Sequence, residues 1–423
     1  MVEFANTRSY AETLDDTDPL QSFRKRFIFP TQKDGTPYRY FCGNSLGLQP
    51  QKAKDALWVE LEDWAKYGVE GHFDGRNPWY GYHERFAELL MPVVGAKHPH
   101  EVVAMNGLTV NLHLLLVSFY RPTPERYKIV IEENAFPSDR YAVASQARCH
   151  GLDPDKAVVI LKPREGEHTL RTEDIEKYLE EEGDSVATVM LGGVNYYTGQ
   201  FYDLERITQA AHRAGAMAGF DLAHAAGNVL LELHDWQVDF ACWCSYKYLN
   251  SGPGSVAGAF VHDNHRNKPD MPRFEGWWGT DPQSRFKMEH FELQDGAPGW
   301  QLSNAPVLAM AVHYEALKVW NEAGRENLRD KSIKLTAYLE HLLSQIENAP
   351  FEIITPKDPE RRGCQLSLKF KENAKHVNER MSAEGLITDF RSPDVIRVAP
   401  VPLYNSYEDV WVFADIVKRA FED

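Results

Sequence analysis

The sequence predicts an α/β protein whose mostly parallel central sheet is accompanied by a smaller α+β domain. Apolar runs alternate with helical segments through the middle of the chain, which is the pattern of βα units. Several runs are apolar at every position, as expected of strands that are buried on both faces. The C-terminal part shows another pattern, in which long helical segments precede short strands.

Seven apolar runs predict the strands of the central sheet. They lie at 102–106, 128–132, 157–161, 186–191, 216–221, 238–243 and 256–261. Helical patterns separate many of them, at 109–120, 137–149, 172–181 and 203–214. Because open parallel sheets bind ligands at the carboxyl ends of their strands, the residues just after these runs are the candidates for a site.

The remaining segments predict a second, smaller domain. A chain of 423 residues exceeds what one hydrophobic core usually holds. The N-terminal segment has one amphipathic helix, at 50–67, and is too small for its own core. We therefore expect a large domain over 76–304 and a small domain formed by 1–75 together with 305–423. Helices of the C-terminal part are expected at 305–323, 327–347, 373–384 and 407–421, and strands at 352–354, 364–369 and 395–398.

Composition and charge restrict the class of protein. The chain carries 46 Lys and Arg against 62 Asp and Glu, a net charge of −16. Such an acidic chain repels nucleic acid and anionic membrane surfaces. No apolar run approaches the roughly 20 residues of a membrane helix, and the acidic N-terminus lacks a hydrophobic signal segment. We therefore expect a cytoplasmic protein that binds neither nucleic acid nor membrane.

The cysteines and histidines do not predict a metal site. The five cysteines are scattered, and Cys242 and Cys244 are separated by one residue, whereas zinc-binding pairs usually have at least two residues between them. We expect free, buried and reduced thiols. The run HDNH at 262–265 is predicted to lie on the surface.

The strongest candidate site is formed by GFDLAHAAGN at 219–228 and CSYKYLNSGPG at 244–254. Asp221 ends one predicted strand, and Lys247 follows the next strand 26 residues later. A pyridoxal-phosphate (PLP) site requires this pair. The lysine forms a Schiff base with the cofactor aldehyde, and the aspartate keeps the pyridine nitrogen protonated.

Each residue of this pair also has an ordinary explanation. An Asp at a strand end is usually a helix N-cap or a loop residue, and a Lys is usually solvated. Their joint occurrence favours the site. Lys247 is moreover the only Asp, Glu, Lys or Arg between Asp239 and Asp263, so a surface position explains it poorly. A desolvated amine with a lowered pKa suits Schiff-base chemistry.

Two further segments follow predicted strands. Leu108 and Thr109 open a helix whose backbone N–H groups can bind a phosphate, and Thr109 can add its hydroxyl. Thr109 as a simple N-cap is the alternative. In NAFPSDRYA at 134–142, Phe136 can cover a flat ring and Asp139 can bond to it. The sequence from Pro137 to Asp139 is also a good helix start.

Longer strings around these residues resemble the kynureninase family. The resemblance extends from about residue 40 to the C-terminus. It implies fold type I of the PLP-dependent, aspartate-aminotransferase-like enzymes, and a homodimer with each active site at the subunit interface. It also implies hydrolytic Cβ–Cγ cleavage of kynurenine or 3-hydroxykynurenine, in tryptophan catabolism and NAD biosynthesis. The strings are FCGNSLGLQP at 41–50, NYYTGQ at 195–200, GFDLAHA, HDWQVDFACWC at 234–244, CSYKYLN and RVAPVPLYNS at 397–406.

The resemblance also implies roles for single residues. Lys247 would hold the cofactor and move protons, Asp221 would pair with the pyridinium, and Tyr246 would contact the phosphate and take part in proton transfer. Arg397 would bind the substrate α-carboxylate through a bidentate pair. The implied cofactor-binding residues are Leu108, Thr109, Phe136, Pro137, Ser138, Asp139, Asp221, His224, Tyr246, Lys247, Trp278, as a phosphate contact, and Asn304. The implied substrate-binding residues are Ser45, His72, Asn304 and Arg397.

Some alternatives remain open. Family members often have a hydroxyl residue near position 192, where this chain has Gly192, so one cofactor contact is expected to be missing. Tyr246 and Trp278 could be core aromatics, His224 a packed histidine, and Arg397 the partner of a structural acid. The runner-up functions are a class V aminotransferase or a cysteine desulfurase, which share the Asp/Lys pair. A catalytically silent binding protein and a nucleotide-binding dehydrogenase are less favoured, the latter because no G-x-G-x-x-G follows a strand.

Overall fold

The structure is a computed structural model that describes residues 4–287 and 291–422. Residues 1–3 and 423, which the sequence assigns to the small domain, lie outside the described residues. The α-helices are α1 (Arg8–Asp16), α2 (Ala53–Tyr67), α3 (Gly71–Asp74), α4 (Ala87–Val94), α5 (Leu108–Phe119), α6 (Pro137–Cys149), α7 (Pro154–Ala157), α8 (Thr172–Glu182), α9 (Leu204–Arg213), α10 (Val307–Ala323), α11 (Arg325–Ser344), α12 (Ala374–Ala383) and α13 (Tyr407–Glu422). The strands are β1 (Phe27–Ile28), β2 (Arg39–Tyr40), β3 (Gln49–Pro50), β4 (Val102–Met105), β5 (Lys128–Glu132), β6 (Val158–Leu161), β7 (Val186–Gly192), β8 (Met217–Asp221), β9 (Phe240–Trp243), β10 (Ala257–Val261), β11 (Phe351–Ile353), β12 (Leu366–Phe370), β13 (Leu386–Ile387), β14 (Asp389–Arg391) and β15 (Val395–Val398).

The seven predicted strands form one sheet in the order β4-β10-β9-β8-β7-β5-β6. Strands β5 to β9 are parallel to their neighbours, while β10 runs antiparallel to both β4 and β9. The mostly parallel sheet predicted from the alternating pattern is therefore confirmed. The carboxyl ends of β4, β5, β7, β8 and β9 all lie at one edge of the sheet, because these strands share one direction.

Both faces of this sheet are buried, which explains why its strands are apolar at nearly every position. Alternate residues of a strand enter different apolar clusters. In β9, Phe240 and Cys242 belong to a cluster with residues of α5, whereas Ala241 and Trp243 belong to a larger cluster on the other face. Helices therefore cover the sheet on both sides and fix the positions of the loops at its edge.

The C-terminal part has a four-stranded antiparallel sheet in the order β11-β12-β15-β14. Helices α11, α12 and α13 pack on it around a separate apolar cluster. The N-terminal segment contacts this part, because β2 pairs with β13 and α1 packs against α13. The domain boundaries at 75/76 and 304/305 stay a prediction.

The prediction that HDNH at 262–265 lies on the surface is wrong for its two histidines, whereas Asn264 is exposed. The side chains of His262 and His265 are buried. His262 Nε2 lies 3.0 Å from the carbonyl oxygen of His234, and His265 Nε2 lies 2.7 Å from Asp239 Oδ1. These partners come from a distant part of the chain, so the local sequence does not show them.

Within the described part of the chain, no helix combines the length and the apolar character that a bilayer crossing requires.

Candidate active site

A cavity of about 210 Å³ opens at the carboxyl edge of the central sheet. The loops after β4, β5, β7, β8 and β9 form most of its wall, as the direction of the strands dictates. Ser45 and Arg391 complete the wall from outside the central sheet. The lining residues are Ser45, Leu108, Thr109, Glu132, Phe136, Ser138, Asp139, Gly192, Val194, Tyr196, Asp221, Ala223, His224, Tyr246, Lys247 and Arg391.

Lys247 and Asp221 both line this cavity, as the sequence predicts. Lys247 Nζ lies 2.8 Å from His224 Nε2 and 6.0 Å from the centre of the Phe136 ring. Asp221 is 6% exposed, and its Oδ1 accepts a hydrogen bond from the Ala223 N–H at 2.7 Å. The amine and the carboxylate therefore share one small space, in which a planar ligand could contact both.

The cavity favours the uncharged form of its basic groups. Burial lowers the pKa of Lys247. Burial, with the nearby Lys247 amine as the next cause, lowers the pKa of His224 well below its ordinary value. A lysine with a lowered pKa has more neutral amine at physiological pH, which is the nucleophilic form.

The cavity is also unusually rich in carboxyl groups. Burial raises the pKa of Asp221, and the Ala223 N–H and Lys247 oppose this shift. The pKa of Asp139 is raised well above its ordinary value by burial and by the neighbouring Asp221 and Glu132. The side chains of Asp139 and Asp221 hydrogen-bond to each other. Because the bond between them raises the pKa of Asp139 and lowers that of Asp221, a proton on this pair is favoured at Asp139.

The end of the cavity at α5 suits an anion. Leu108 is the first residue of α5, and Gly107 is its N-cap without a side-chain capping bond. Thr109 Oγ1 and Ser138 Oγ, from the starts of α5 and α6, lie 2.9 Å apart. Two hydroxyls and free backbone N–H groups thus converge at helix N-termini, which is a common arrangement for phosphate binding.

Phe136 lies at the entrance and is 43% exposed. Its ring contacts the Tyr196 ring edge-on at 5.4 Å between centres. Pro137 follows it as the first residue of α6 and fixes the turn that presents Phe136, Ser138 and Asp139. The cavity therefore combines an aromatic face, an amine, a carboxylate and an anion site.

Arg397 does not line the cavity itself. It is fully buried in β15 and forms an ion pair with Asp389. Its guanidinium also donates hydrogen bonds to Ser45 Oγ at 3.1 Å and to the Tyr196 carbonyl oxygen at 2.7 Å. Arg391, on β14, lines the cavity and shares Asp389 at 3.0 Å. The acid that the sequence left open as a partner of Arg397 is thus Asp389.

Besides Arg397, three predicted site residues lie away from this cavity. His72 contacts the Trp79 ring at 5.4 Å between centres, and Asn304 is exposed. Trp278 is 1% exposed and donates its indole N–H to His83 Nδ1 at 3.2 Å. Within one copy of the chain the indole N–H is already used, and the expectation that Trp278 contacts a phosphate stays a prediction. The adjacent Trp277 is 47% exposed.

Sequence reasoning missed four polar residues of the site. Glu132 and Arg391 line the cavity, Tyr196 forms part of its wall, and Asp389 holds both arginines. Glu132 ends a predicted strand, as Asp221 does, so its position was a usable signal. Asp389 and Arg391 lie in a short strand with no apolar pattern, and only the fold brings them to the cavity.

A second cluster of possible ligand atoms lies elsewhere. Glu101, His234 and His262 bring one ligand atom each within 4.8 Å of one another. Glu101 already accepts hydrogen bonds from His234 Nδ1 and from the backbone N–H groups of residues 97, 98 and 263. His262 is bonded at both ring nitrogens. These bonds engage both carboxylate oxygens of Glu101 and both ring nitrogens of His262, which describes a structural network.

Comparison with known proteins gives a consistent result. The family model "Kynureninase C-terminal domain" matches residues 328–417. A kynureninase of Myxococcus xanthus is 55% identical over 411 residues, which are 97% of this chain and 96% of that protein. A kynureninase of Nematostella vectensis is 48% identical, covering 98% of this chain and 94% of that protein.

Solved structures with the same fold are more distant in sequence. A mutant of C-DES with glycine covalently linked to its PLP cofactor superposes with a TM-score of 0.75 at 15% identity, covering 90% of this chain and 96% of that chain. The cysteine desulfurase CsdA of Escherichia coli gives 0.73 at 16% identity, covering 95% and 98%. These likenesses confirm the fold class predicted from the sequence. The full-length relatives show in addition that the chain belongs to the kynureninase family.

Proposed function

We propose that the protein is a PLP-dependent kynureninase, which hydrolyses the Cβ–Cγ bond of kynurenine or 3-hydroxykynurenine. The products would be alanine and anthranilate or 3-hydroxyanthranilate. The observation that carries this proposal is the meeting of Lys247, His224 and Asp221 in one buried cavity. PLP enzymes with such a site catalyse many reactions, and membership of the kynureninase family supports Cβ–Cγ hydrolysis as the reaction here.

The residues of the cavity fit the proposed cofactor. Lys247 would hold its aldehyde covalently, and the α5 N-terminus with Thr109 and Ser138 would bind its phosphate. Phe136 would pack against its ring. His224 Nδ1 is buried and, among the described residues, has no hydrogen-bond partner. A buried polar atom without a partner is costly, so this atom favours the presence of a polar ligand in the cavity.

When bound, PLP would supply an electron sink for bond cleavage at the amino acid. The chain supplies charge and proton transfer around it. Asp221 would hold a proton at the ring nitrogen, because its carboxylate is buried in the cavity wall and accepts a hydrogen bond from the Ala223 N–H. The Lys247 amine, with its lowered pKa, would accept a proton from the substrate Cα and return protons later.

Two other groups would complete the reaction. Tyr246 lines the cavity, and burial raises the pKa of its phenol, so the phenol stays protonated and can donate at neutral pH. Arg397 and Ser45, whose side chains already meet at 3.1 Å, would bind the substrate carboxylate. Such a contact would fix the orientation of the amino acid relative to Lys247.

The desulfurase alternative lacks a suitable cysteine among the described residues. Cys364 is fully buried, and burial raises the pKa of its thiol to about 12. Burial also raises the pKa of Cys42, to about 11, and those of Cys242 and Cys244, so these thiols stay protonated as well. Cys149 is exposed but ends α6, roughly 15 Å along the helix from Asp139 in the cavity wall at 1.5 Å per residue. An aminotransferase would differ by converting the cofactor stably to its amine form without C–C cleavage.

The decisive experiment is incubation of the purified, PLP-loaded protein with kynurenine and with 3-hydroxykynurenine in separate reactions. We expect equal amounts of alanine and the aromatic acid, measured by chromatography with mass detection. A PLP-loaded protein that cleaves neither substrate would disprove the proposal, and transamination of an added amino donor would support the aminotransferase instead.

We also propose that two copies of the chain form a homodimer with the active sites at their interface. An apolar groove of about 1,110 Å³ borders the cavity, since Leu46 and Gly47 line the groove and the adjacent Ser45 lines the cavity. Several large apolar side chains are exposed beside or near it. Trp58, Trp64, Val69 and Phe73 are 59%, 60%, 72% and 62% exposed. Such surfaces usually mark protein interfaces.

The positions of His72 and the tryptophan pair support a shared site. Ring contacts connect His72 to Phe73, Phe73 to Tyr80, Tyr80 to Trp278 and Trp278 to Trp277. None of these rings lines the cavity of its own chain. In a twofold dimer, this aromatic cluster would instead reach the cavity of the other copy. The entrance of that cavity is accessible, because Phe136 in its wall is 43% exposed.

Complementation tests this arrangement. Lys247→Ala and His72→Ala chains, each weakly active or inactive alone, would be co-expressed with different tags and the mixed dimer purified. We expect about half of wild-type activity, because a twofold dimer of these chains retains one complete site of two. The control pairs Lys247→Ala with Asp221→Asn, which damages both cavities and should restore nothing. A monomer in solution, or no recovery in the first pair, would contradict the shared site.

The predicted cytoplasmic location, and the predicted absence of nucleic-acid and membrane binding, stay predictions. The net charge of −16 supports the expectation that nucleic acid and anionic lipid are repelled.

A further inference from the structure

Glu132 is a buried carboxyl in the wall of the active-site cavity, and the proposed reaction gives it no role. It is the last residue of β5, and 3% of it is exposed. Its Oε1 accepts a hydrogen bond from the Gly192 N–H at 3.1 Å. Its Oε2 is buried and has no hydrogen-bond partner within 4–287 and 291–422. A buried carboxyl oxygen without a hydrogen bond is energetically unfavourable, so we expect this oxygen to have a hydrogen-bond partner when a ligand occupies the cavity.

Gly192 provides the space that Glu132 occupies. Gly192 ends β7, which lies between β5 and β8 in the sheet, and it is paired in register with Asp221. A Cβ atom at Gly192 would lie only 3.0 Å from Glu132 Oε1. The missing side chain thus leaves room for the Glu132 carboxyl at the end of β7, whose neighbour on the other side, β8, ends in Asp221.

A second unmatched atom faces the same cavity. Asp139 Oδ1 is also buried without a hydrogen-bond partner in the described part of the chain. The side chain of Asp139 already bonds to Asp221, and the charge of Glu132 contributes to the raised pKa of Asp139. One unmatched oxygen of each carboxyl group therefore needs a partner, and a single proton between them would satisfy both.

Charge also limits how many of these groups ionise. Glu132, Asp139 and Asp221 share the cavity, and Lys247 is the cation that acts on both aspartates. The Tyr202 phenol faces Glu132 and stays neutral, because burial raises its pKa well above the ordinary value. Burial raises the pKa of Glu132 to about 7, and the charge of Asp221 adds to this shift. Further loss of water from the cavity, as a bound ligand would cause, favours the neutral acid.

We propose that Glu132 is a positioning residue that remains protonated in the PLP-loaded protein and donates its Oε2 proton to Asp139 Oδ1, directly or through one water. Asp139 in turn donates to Asp221. The chain of two neutral acids ends on one carboxylate, and it presents a single negative charge to the ring nitrogen of the cofactor. This inference deepens the proposed function and rests on it.

Two variants at position 132 separate this role from others. Glu132→Met has a similar length and no donor, so it leaves both the Gly192 N–H and Asp139 Oδ1 unmatched. We expect its PLP dissociation constant to rise about tenfold or more, and the pH dependence of the cofactor's visible absorption to shift. Glu132→Gln keeps an acceptor for Gly192 and a donor for Asp139, so it should recover most of the affinity and the wild-type pH profile.

The dissociation constant would be measured by equilibrium dialysis, and the absorption would be followed from pH 6 to 9. Equal losses in the Gln and Met variants would overturn the proposal, because they would show that a negative charge at 132 is required. Wild-type behaviour of Glu132→Met would also overturn it. If the wild type takes up no PLP, the proposed function itself fails, and this outcome is distinct from both.

A further variant covers the case in which Glu132→Met does not fold. Gly192→Ala places a methyl group 3.0 Å from Glu132 Oε1 and displaces the carboxyl without removing it. We expect Gly192→Ala to lose PLP affinity, but less than Glu132→Met does. The double variant Gly192→Ala/Glu132→Gln should lose as much affinity as Gly192→Ala alone, because the side chain at 132 is displaced in both. Wild-type PLP affinity in Gly192→Ala would count against the proposal.

Discussion

Replacement of Lys247 by alanine is expected to lower the rate of product formation at least about 10⁴-fold, the upper end of what one positioned acid–base group contributes. The loss should exceed that of any other single substitution in the cavity. Lys247 has two roles at once, as the group that holds the cofactor and as the group that moves protons.

The structure explains why no other lysine can take over these roles. Lys247 Nζ lies in the cavity, 2.8 Å from His224 Nε2, and burial lowers the pKa of its amine. A lowered pKa shifts the loss of the proton to lower pH, so more of the amine is neutral at pH 7 than in a solvated lysine. No other lysine lines the cavity of the described chain.

A matched control is available at Lys331. This lysine is also buried, at 5% exposed, burial also lowers its pKa, and it pairs with Asp18 at 2.7 Å. It lies outside the cavity. Lys331→Met should therefore lower thermal stability while the cofactor remains attached at Lys247. Borohydride reduction followed by peptide mass mapping should place PLP on Lys247 in both the wild type and this control, and an adduct at another lysine would refute the assignment.

The sequence predicted the central sheet well because its strands are buried on both faces, which leaves a strong apolar signal. The ends of these strands then located Asp221, Lys247, Thr109 and Phe136, since a parallel sheet brings its carboxyl ends together. The same logic applied to Glu132 at the end of β5. Position alone does not single out Glu132, however, because a glutamate before a turn is ordinary in a soluble protein.

Other features depend on contacts that local sequence cannot show. Arg397 was recognised from the string around it, but its partner Asp389 is on a neighbouring strand of only three residues. Trp277 and Trp278 are adjacent and alike in the sequence, and only packing decides that Trp278 is buried while Trp277 is exposed. The local sequence around His262 and His265 is polar and indicates a surface position. Their hydrogen-bond partners, His234 and Asp239, lie 28 and 26 residues earlier in the chain, so only the fold shows that these histidines are buried.

Replacement of Arg397 by methionine is expected to lower kcat/KM about 10- to 200-fold, which corresponds to the roughly 1.5–3 kcal/mol of a hydrogen bond to a charged group. The loss should fall mainly on KM. A carboxylate distant from the reacting bond is bound in the ground state and the transition state alike, and such uniform binding affects KM.

Arg391 and Arg397 both contact Asp389, so the Arg397→Met variant tests substrate binding without leaving a buried charge unpaired. Burial would raise the pKa of Asp389, but Arg397, Ser45 and Arg391 together hold it below its ordinary value. When Arg397 is removed, Asp389 keeps Arg391 at 3.0 Å and the Ser45 hydroxyl, so no buried charge is left alone. The two arginines and one aspartate have one positive charge in excess. Without Arg397 this excess disappears, and with it the attraction for a substrate carboxylate.

Two comparisons decide between a binding and a structural role for Arg397. Arg397→Lys keeps the charge but loses the planar pair of donors, so KM should fall between those of the wild type and the methionine variant. A decarboxylated substrate analogue should bind the wild type and Arg397→Met with similar affinity, measured by inhibition. Arg397→Met could instead lower the melting temperature while KM stays at the wild-type value. Arg397 would then stabilise the four-stranded sheet through Asp389, and another residue would bind the substrate carboxylate. Arg391, in the cavity wall, would be the next residue to test.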